Sequence, residues 1–262
     1  MLRAGAGARG SGLLVHDKFS DSAGVPWEGR SFETNNFSSD NGETPEVLLP
    51  VLADRPVSKE ALVEALKGTR LLIPLVAELG EGEVGPNGLL VDKSADLAIV
   101  AVATPDGQSA IPAFTSVAEL AAWNSEARPV PVSAEKVCLA SASEGHNRVV
   151  LNPASSAIAL RRPQLAAIAQ GLKWQTPDRS EAVREKVLLA TKKHLMILSV
   201  DLFDGDPDSK LSAAELTIQL GFKPGLTPEL LKEILTQLAA DLQVPEFLEL
   251  VDSFGLKIVV TN

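Results

Sequence analysis

Asp204, Asp206, Asp208 and Glu215 stand at positions 1, 3, 5 and 12 of the stretch DGDPDSKLSAAE, with apolar Leu211 at position 8 and the hydroxyl of Ser212 at position 9. Carboxylates in that order are the ligands of a calcium loop, because hard cations collect six to eight oxygens from alternate residues. Three features oppose it. Position 6 is Ser209 where the sharp turn takes glycine, and Pro207 restricts the loop. The flanks alternate as strands rather than pairing as helices. Turn chemistry alone accounts for these residues as a solvated hairpin loop; calcium response through 204–215 stays as the alternative.

Other groups capable of chemistry are scattered. The single cysteine, Cys138, has no partner for an internal disulfide, and its spacing from His16, His146 and His194 is not that of a zinc site. On a helical face Cys138 reads as a small buried apolar residue. Ser58, Ser116 and Ser133 each precede a helical pattern and are explained as caps. An enzyme would need at least two of His194, His146, Asp92 and Lys93 gathered in one pocket. No catalytic residue, no metal ligand and no cofactor is therefore assigned.

Composition narrows the classes. With 24 basic and 34 acidic residues the net charge is −10, which repels phosphate backbones, and three Trp, eight Phe and no Tyr leave little to stack on bases. Apolar runs such as 71–77 and 97–103 are far shorter than the ~20 residues of a membrane helix. Leu13-Leu14-Val15 is too brief for a signal-peptide core. The expectation is a cytoplasmic protein that meets neither nucleic acid nor membrane. Residues 1–20, rich in Gly and Ala, read as a flexible tail or an over-extended start.

The elements that would position any site begin at residue 47. Val47, Leu48, Val51 and Leu52 have helical spacing, and Ser58 caps a second helix that Gly68 closes. A strand at 70–78 follows, then a Gly-rich acidic segment at 80–96 that fits no phosphate-binding pattern. Residues 97–124 read as strand, turn at Pro105-Asp106-Gly107, strand, and a helix opened by the capping box Ser116 to Glu119. Pro74 and Pro112 interrupt strands and are expected at a sheet edge or bulge. Ser133 starts a helix to about 142, strands follow at 149–151 and 157–160, and Pro163 to Gly171 is a helix. Beyond a boundary at 175–177, a capping box at Asp178 to Glu181 opens a helix. Strands at 195–203 and 216–222, a long helix from Pro228, a short helix and a strand at 256–260 complete the chain.

The fold class is α+β, in two domains, each a mixed or antiparallel sheet flanked by helices. The bounds are 1–46 for a tail and aromatic arm, 47–175 for the first domain and 176–262 for the smaller second one. Within the arm, Trp27 and Phe32 lie in polar surroundings, so they either anchor the arm on the following domain or form a recognition surface with Arg30.

The segment ending Ala113-Phe114-Thr115-Ser116, the later Val150-Leu151-Asn152-Pro153 and the strand Ile73-Pro74-Leu75-Val76 resemble the amino-terminal domain of the SseB family, named for enhanced serine sensitivity. Residues 24–32 and Val91-Asp92-Lys93-Ser94 are similar to its actinobacterial branch. Ala214-Glu215-Leu216 and Pro224-Gly225-Leu226 resemble its carboxy-terminal domain. The resemblance implies a link to serine sensitivity and brings no catalytic residues. The expected function is a non-catalytic binding or regulatory module for an unknown protein or small metabolite, with homodimerisation open. Trp27, Arg30, Phe32, Phe114, Thr115 and Asn152 are its candidate binding surface.

Overall fold

A computed structural model describes residues 37, 39–77, 83–84, 90–91 and 97–260, and Ser39 to Asn262 form one compact unit. The α+β class expected from sequence is what this unit contains. Trp27, Arg30 and Phe32, the tail and most of the 80–96 segment lie outside the described residues.

After a 3-10 turn at Glu46–Leu48 come α1 (Leu49–Ala53), α2 (Lys59–Leu66) and β1 (Arg70–Ala77). Small strands β2 (Glu83–Val84) and β3 (Leu90–Val91) pair with each other. β4 (Leu97–Ile99) and β5 (Val102–Ala103) precede β6 (Ser109–Ala113), α3 (Val117–Trp123), β7 (Arg128–Ser133) and α4 (Ala134–Ser143). β8 (Arg148–Leu151), β9 (Ile158–Arg161) and α5 (Arg162–Gln170) complete the amino-terminal half. The serine caps do what their positions implied: Ser58, Ser116 and Ser133 oxygens accept from the amides of Ala61, Glu119 and Lys136. β7 is a strand that the sequence reading passed over.

A pair of prolines shapes the sheet. β1 pairs with β7 along one edge, and on the other meets β6 at one point, where Leu72 and Phe114 exchange both backbone bonds. In that antiparallel register the next hydrogen-bonded pair would be Pro74 with Pro112, and neither has an N–H to give. The ladder stops there. The two strands part, and β4 and β5 fill the gap, β4 on β1 and β5 on β6. Pro74 and Pro112 are thus neither edge residues nor bulges, contrary to expectation; they mark the seam where two internal strands separate.

β6 runs parallel to β8, which pairs antiparallel with β9. Side chains alternate across these strands as the pleat requires. Ile111, Val149, Leu151 and Leu160 face α2, α4 and α5, meeting Leu62, Leu66, Val137 and Ile168 in the main core. Phe114 and Leu72 face the other side with Leu120 of α3 and Trp123. Outermost β7 carries Pro129 opposite Pro74 and Pro131 opposite Leu72. Because the Leu72 amide points to Phe114, those are pairs not bonded across β1 and β7, and the missing proline N–H groups are the ones that would face outward.

Cys138 lies in the main core, 3% exposed, and burial, with a smaller contribution from Glu135, pushes its thiol up to about 12. At neutral pH the thiolate, the reacting species, is nearly absent. In the folded chain Cys138 is expected to resist Ellman's reagent and to react in stoichiometric amount only in denaturant; rapid native labelling would contradict the packing.

The carboxy-terminal half contains α6 (Glu181–Thr191), β10 (Ile197–Asp204), β11 (Leu216–Phe222), α7 (Pro228–Leu242), α8 (Pro245–Leu248) and β12 (Phe254–Val260). The cap of α6 is Ser180, accepting from Val183, rather than Asp178. Central β11 is antiparallel to β10 and parallel to β12, the two helices α7 and α8 connecting β11 to β12. Val183 and Val187 of α6 and Ile234 and Leu238 of α7 pack on Leu216, Ile218 and Leu220, a second core separate from the first.

Candidate functional site

The hairpin loop between β10 and β11 is docked rather than solvated. Leu211 at its tip packs on Ala110, Val150 and Ala159, on the face of the amino-terminal sheet that the main helices leave open. Asp206 builds the loop from inside: its Oδ1 accepts from the Lys210 amide at 3.1 Å and its Oδ2 from Leu211 at 2.8 Å. Those bonds hold Ser209 and Leu211 at φ of 53° and 57°, the region where a calcium loop would want glycine. Gly205 closes the neck, donating to the Glu215 carbonyl at 2.9 Å, where an added Cβ would fall 2.2 Å from the Ala214 oxygen.

The loop's acids find bases on the other half. Lys59 of α2 donates to Asp204 at 2.6 Å. Arg161, at the end of β9, donates to Asp206 Oδ2 at 2.6 Å and to Asp252 at 3.2 Å. Arg148 of β8 holds Asp252 with both terminal nitrogens, at 2.7 and 2.8 Å, and reaches Asp106 through Nε at 3.2 Å. Burial alone would raise the Asp106 carboxyl, but the Thr104 hydroxyl and Arg148 bring it below its ordinary value. Asp208 stays exposed. Among the described residues no group of three or more His, Cys, Asp or Glu is arranged to hold a metal ion. The spacing that suggested calcium is instead the acidic half of a junction between the two halves, and Glu215, also part of it, is 3% exposed.

Phe114, Thr115 and Asn152 are 0, 1 and 4% exposed, so they are not an outward-facing patch. Phe114 is core, its ring 5.4 Å from that of Trp123. Asn152, at φ 48°, ends β8 and turns its amide onto Thr115, accepting from the backbone N–H and donating to Oγ1, both at 3.0 Å. Arg70 binds the Thr115 carbonyl at 2.7 Å and Asp40 at 2.6 Å, tying the segment before α1 to β1. Thr115 and Asn152 floor a cleft of about 710 Å3.

The cleft walls carry Arg55, Glu119, Ser155 and Lys210. Arg55 donates to the carbonyls of Leu52 and Asp54 at 2.5 and 2.6 Å, and Lys210 to those of Ser156 and, at 3.1 Å, Ala157. Glu119 accepts from the Ser155 hydroxyl at 2.5 Å instead of closing the capping box expected with Ser116. Two cations held by neutral carbonyls, one carboxylate and a row of hydroxyls therefore line one hollow. Lys210 had drawn attention only as a loop residue, and Arg55 and Glu119 were not singled out for binding; nothing in their spacing joins them.

Of the histidines, His146 Nδ1 is 2.7 Å from Ser109 Oγ and its Nε2 is 3.6 Å from Glu144. The trio lies at the surface, and the amides beside it, Gly145 and His146, are already bonded to the Ala142 and Ser141 carbonyls. Those donors are not free to stabilise an oxyanion. His194 is in the other half, near Asp241, and Asp92 and Lys93 lie outside the described residues.

No curated protein and no solved structure matches this chain. Residues 46–167, which include Arg55, Thr115, Glu119, Asn152 and the junction bases Lys59, Arg148 and Arg161, match the family model of the SseB protein N-terminal domain, and this supports membership of the SseB family.

Proposed function

We propose that the protein is a non-catalytic binding or regulatory module whose ligand is a small metabolite carrying both charges, held in the cleft above Thr115 and Asn152. The observation that carries this reading is the pairing of Arg55 and Lys210 with main-chain carbonyls while Glu119 faces the same hollow. A ligand carboxylate is a stronger partner for either cation than a carbonyl, since an ionised acceptor roughly doubles a hydrogen bond. A ligand ammonium would meet Glu119. Free amino acids have that charge pattern, which agrees with the serine-sensitivity link of the family resemblance. The reading extends to a cytoplasmic protein of the actinobacterial branch, with residues 176–262 as the carboxy-terminal SseB domain contributing Lys210. Titration calorimetry of the full chain with L-serine and the other common amino acids tests it. Heat from at least one amino acid is expected, with affinity weakened about tenfold by Arg55→Gln and by Lys210→Gln, both exposed residues. Silence across the panel, or variants that bind as well as the parent, would remove the reading.

A further inference from the structure

The junction between the halves holds more carboxylates than cations, and one acid has no base of its own. Lys59 binds Asp204, Arg161 binds Asp206, and Arg148 binds Asp252 with Asp106 at the rim. Glu215 accepts from the Asp252 backbone amide at 2.6 Å and its own amide donates to Ser253 Oγ at 3.1 Å, but among the described residues no cation reaches its carboxylate at hydrogen-bond distance. Every element around it contributes a charge already engaged: Lys59 from α2, Arg148 from β8, Arg161 from β9, Asp204 and Asp206 from the β10–β11 loop, and Asp252 from the segment after α8. Ionised, Glu215, itself buried, would place a further negative charge beside Asp252. Protonated, it fits.

We propose that Glu215 is a proton-responsive site that sets how tightly the 204–215 loop and the carboxy-terminal half hold the amino-terminal sheet. Burial is the main cause that raises its carboxyl, to about 7, with Asp252 adding and Arg161 and Lys59 opposing. The sign follows from linkage. A carboxyl raised in the folded chain contributes stability that is complete below its unfolded value near 4.3 and is lost as pH rises through the folded one. The loss therefore begins at about pH 4.3 and is complete a little above about pH 7, its upper part lying where ordinary carboxylates no longer titrate. This inference is independent of the ligand reading.

The test is urea unfolding of the full chain from pH 5.5 to 8.5, beside Glu215→Gln, which keeps the shape and removes the titration. The difference between the two proteins is the quantity read, because it cancels every titrating group they share. The unfolding constant of the parent is expected to rise by on the order of thirtyfold more than that of Glu215→Gln across the range. Amide exchange in 204–215 and in β8 and β9 should quicken with it. Should the variant not fold, the carboxyl-carbon NMR titration of Glu215 in the parent decides. A midpoint near neutrality supports the proposal; a midpoint in the ordinary carboxylate range, or identical pH slopes in the two proteins, overturns it.

Discussion

Arg161→Met is expected to destabilise the protein by about 3–5 kcal/mol in urea unfolding at neutral pH, the range for breaking a buried ion pair by removing one partner. Arg161 and Asp206 are both almost fully buried, and the guanidinium also binds Asp252, Ser253 Oγ and the Ala213 carbonyl. Its loss leaves Asp206 with two backbone amides as its remaining partners and Asp252 with Arg148 alone. The cost comes from stranded charge rather than from lost attraction. Arg161→Met combined with Asp206→Leu should therefore recover part of the deficit, although it removes one more polar group. A double variant less stable than Arg161→Met would show that the bonds from the Lys210 and Leu211 amides to Asp206 outweigh the cost of its stranded charge. Arg161→Lys should rescue poorly, because an ammonium cannot reproduce the fork that spans Asp206 and Asp252.

Phe114→Ala should cost about 3–5 kcal/mol by the same measurement, and Phe114→Leu under about half of that. The ring is completely buried among Leu72, Leu120, Ala127 and Trp123. Truncation opens a cavity at the one point where β1 and β6 touch, a place the strands cannot close by sliding because the prolines hold them apart. The measurement also separates two views of this residue. A surface contact for a ligand would lose affinity and leave stability within about half a kcal/mol. A core residue does the reverse, and the packing requires the reverse.

Much of the fold was readable residue by residue. Alternation in Leu216, Ile218, Leu220 and Phe222, hydroxyl caps at Ser58, Ser133 and Thr227, and the left-handed stop at Gly171 are local signals, and the structure uses each of them locally. β7 escaped because Pro129 and Pro131 look like loop residues until one knows that their nitrogens face away from β1, the strand it pairs with. The acidic loop was recognised as unusual, but its charge balance could not be seen: Lys59 is 145 positions from Asp204, and Arg161 is 45 from Asp206. Thr115 and Asn152 were chosen through family resemblance and are 37 positions apart, so their mutual hydrogen bonds and burial depend on β6 and β8 being neighbours. Pairings of that kind come from topology, which no window of sequence contains.

β7 has one further effect. With nitrogens at 129 and 131 unable to donate, its outer side offers a visiting strand carbonyl oxygens but not the regular alternation of donor and acceptor from which a ladder is made. Neighbouring molecules in a crowded solution are thereby denied a template at this margin. Changing both prolines to valine should turn a self-limiting sheet into one that invites fibrillar growth.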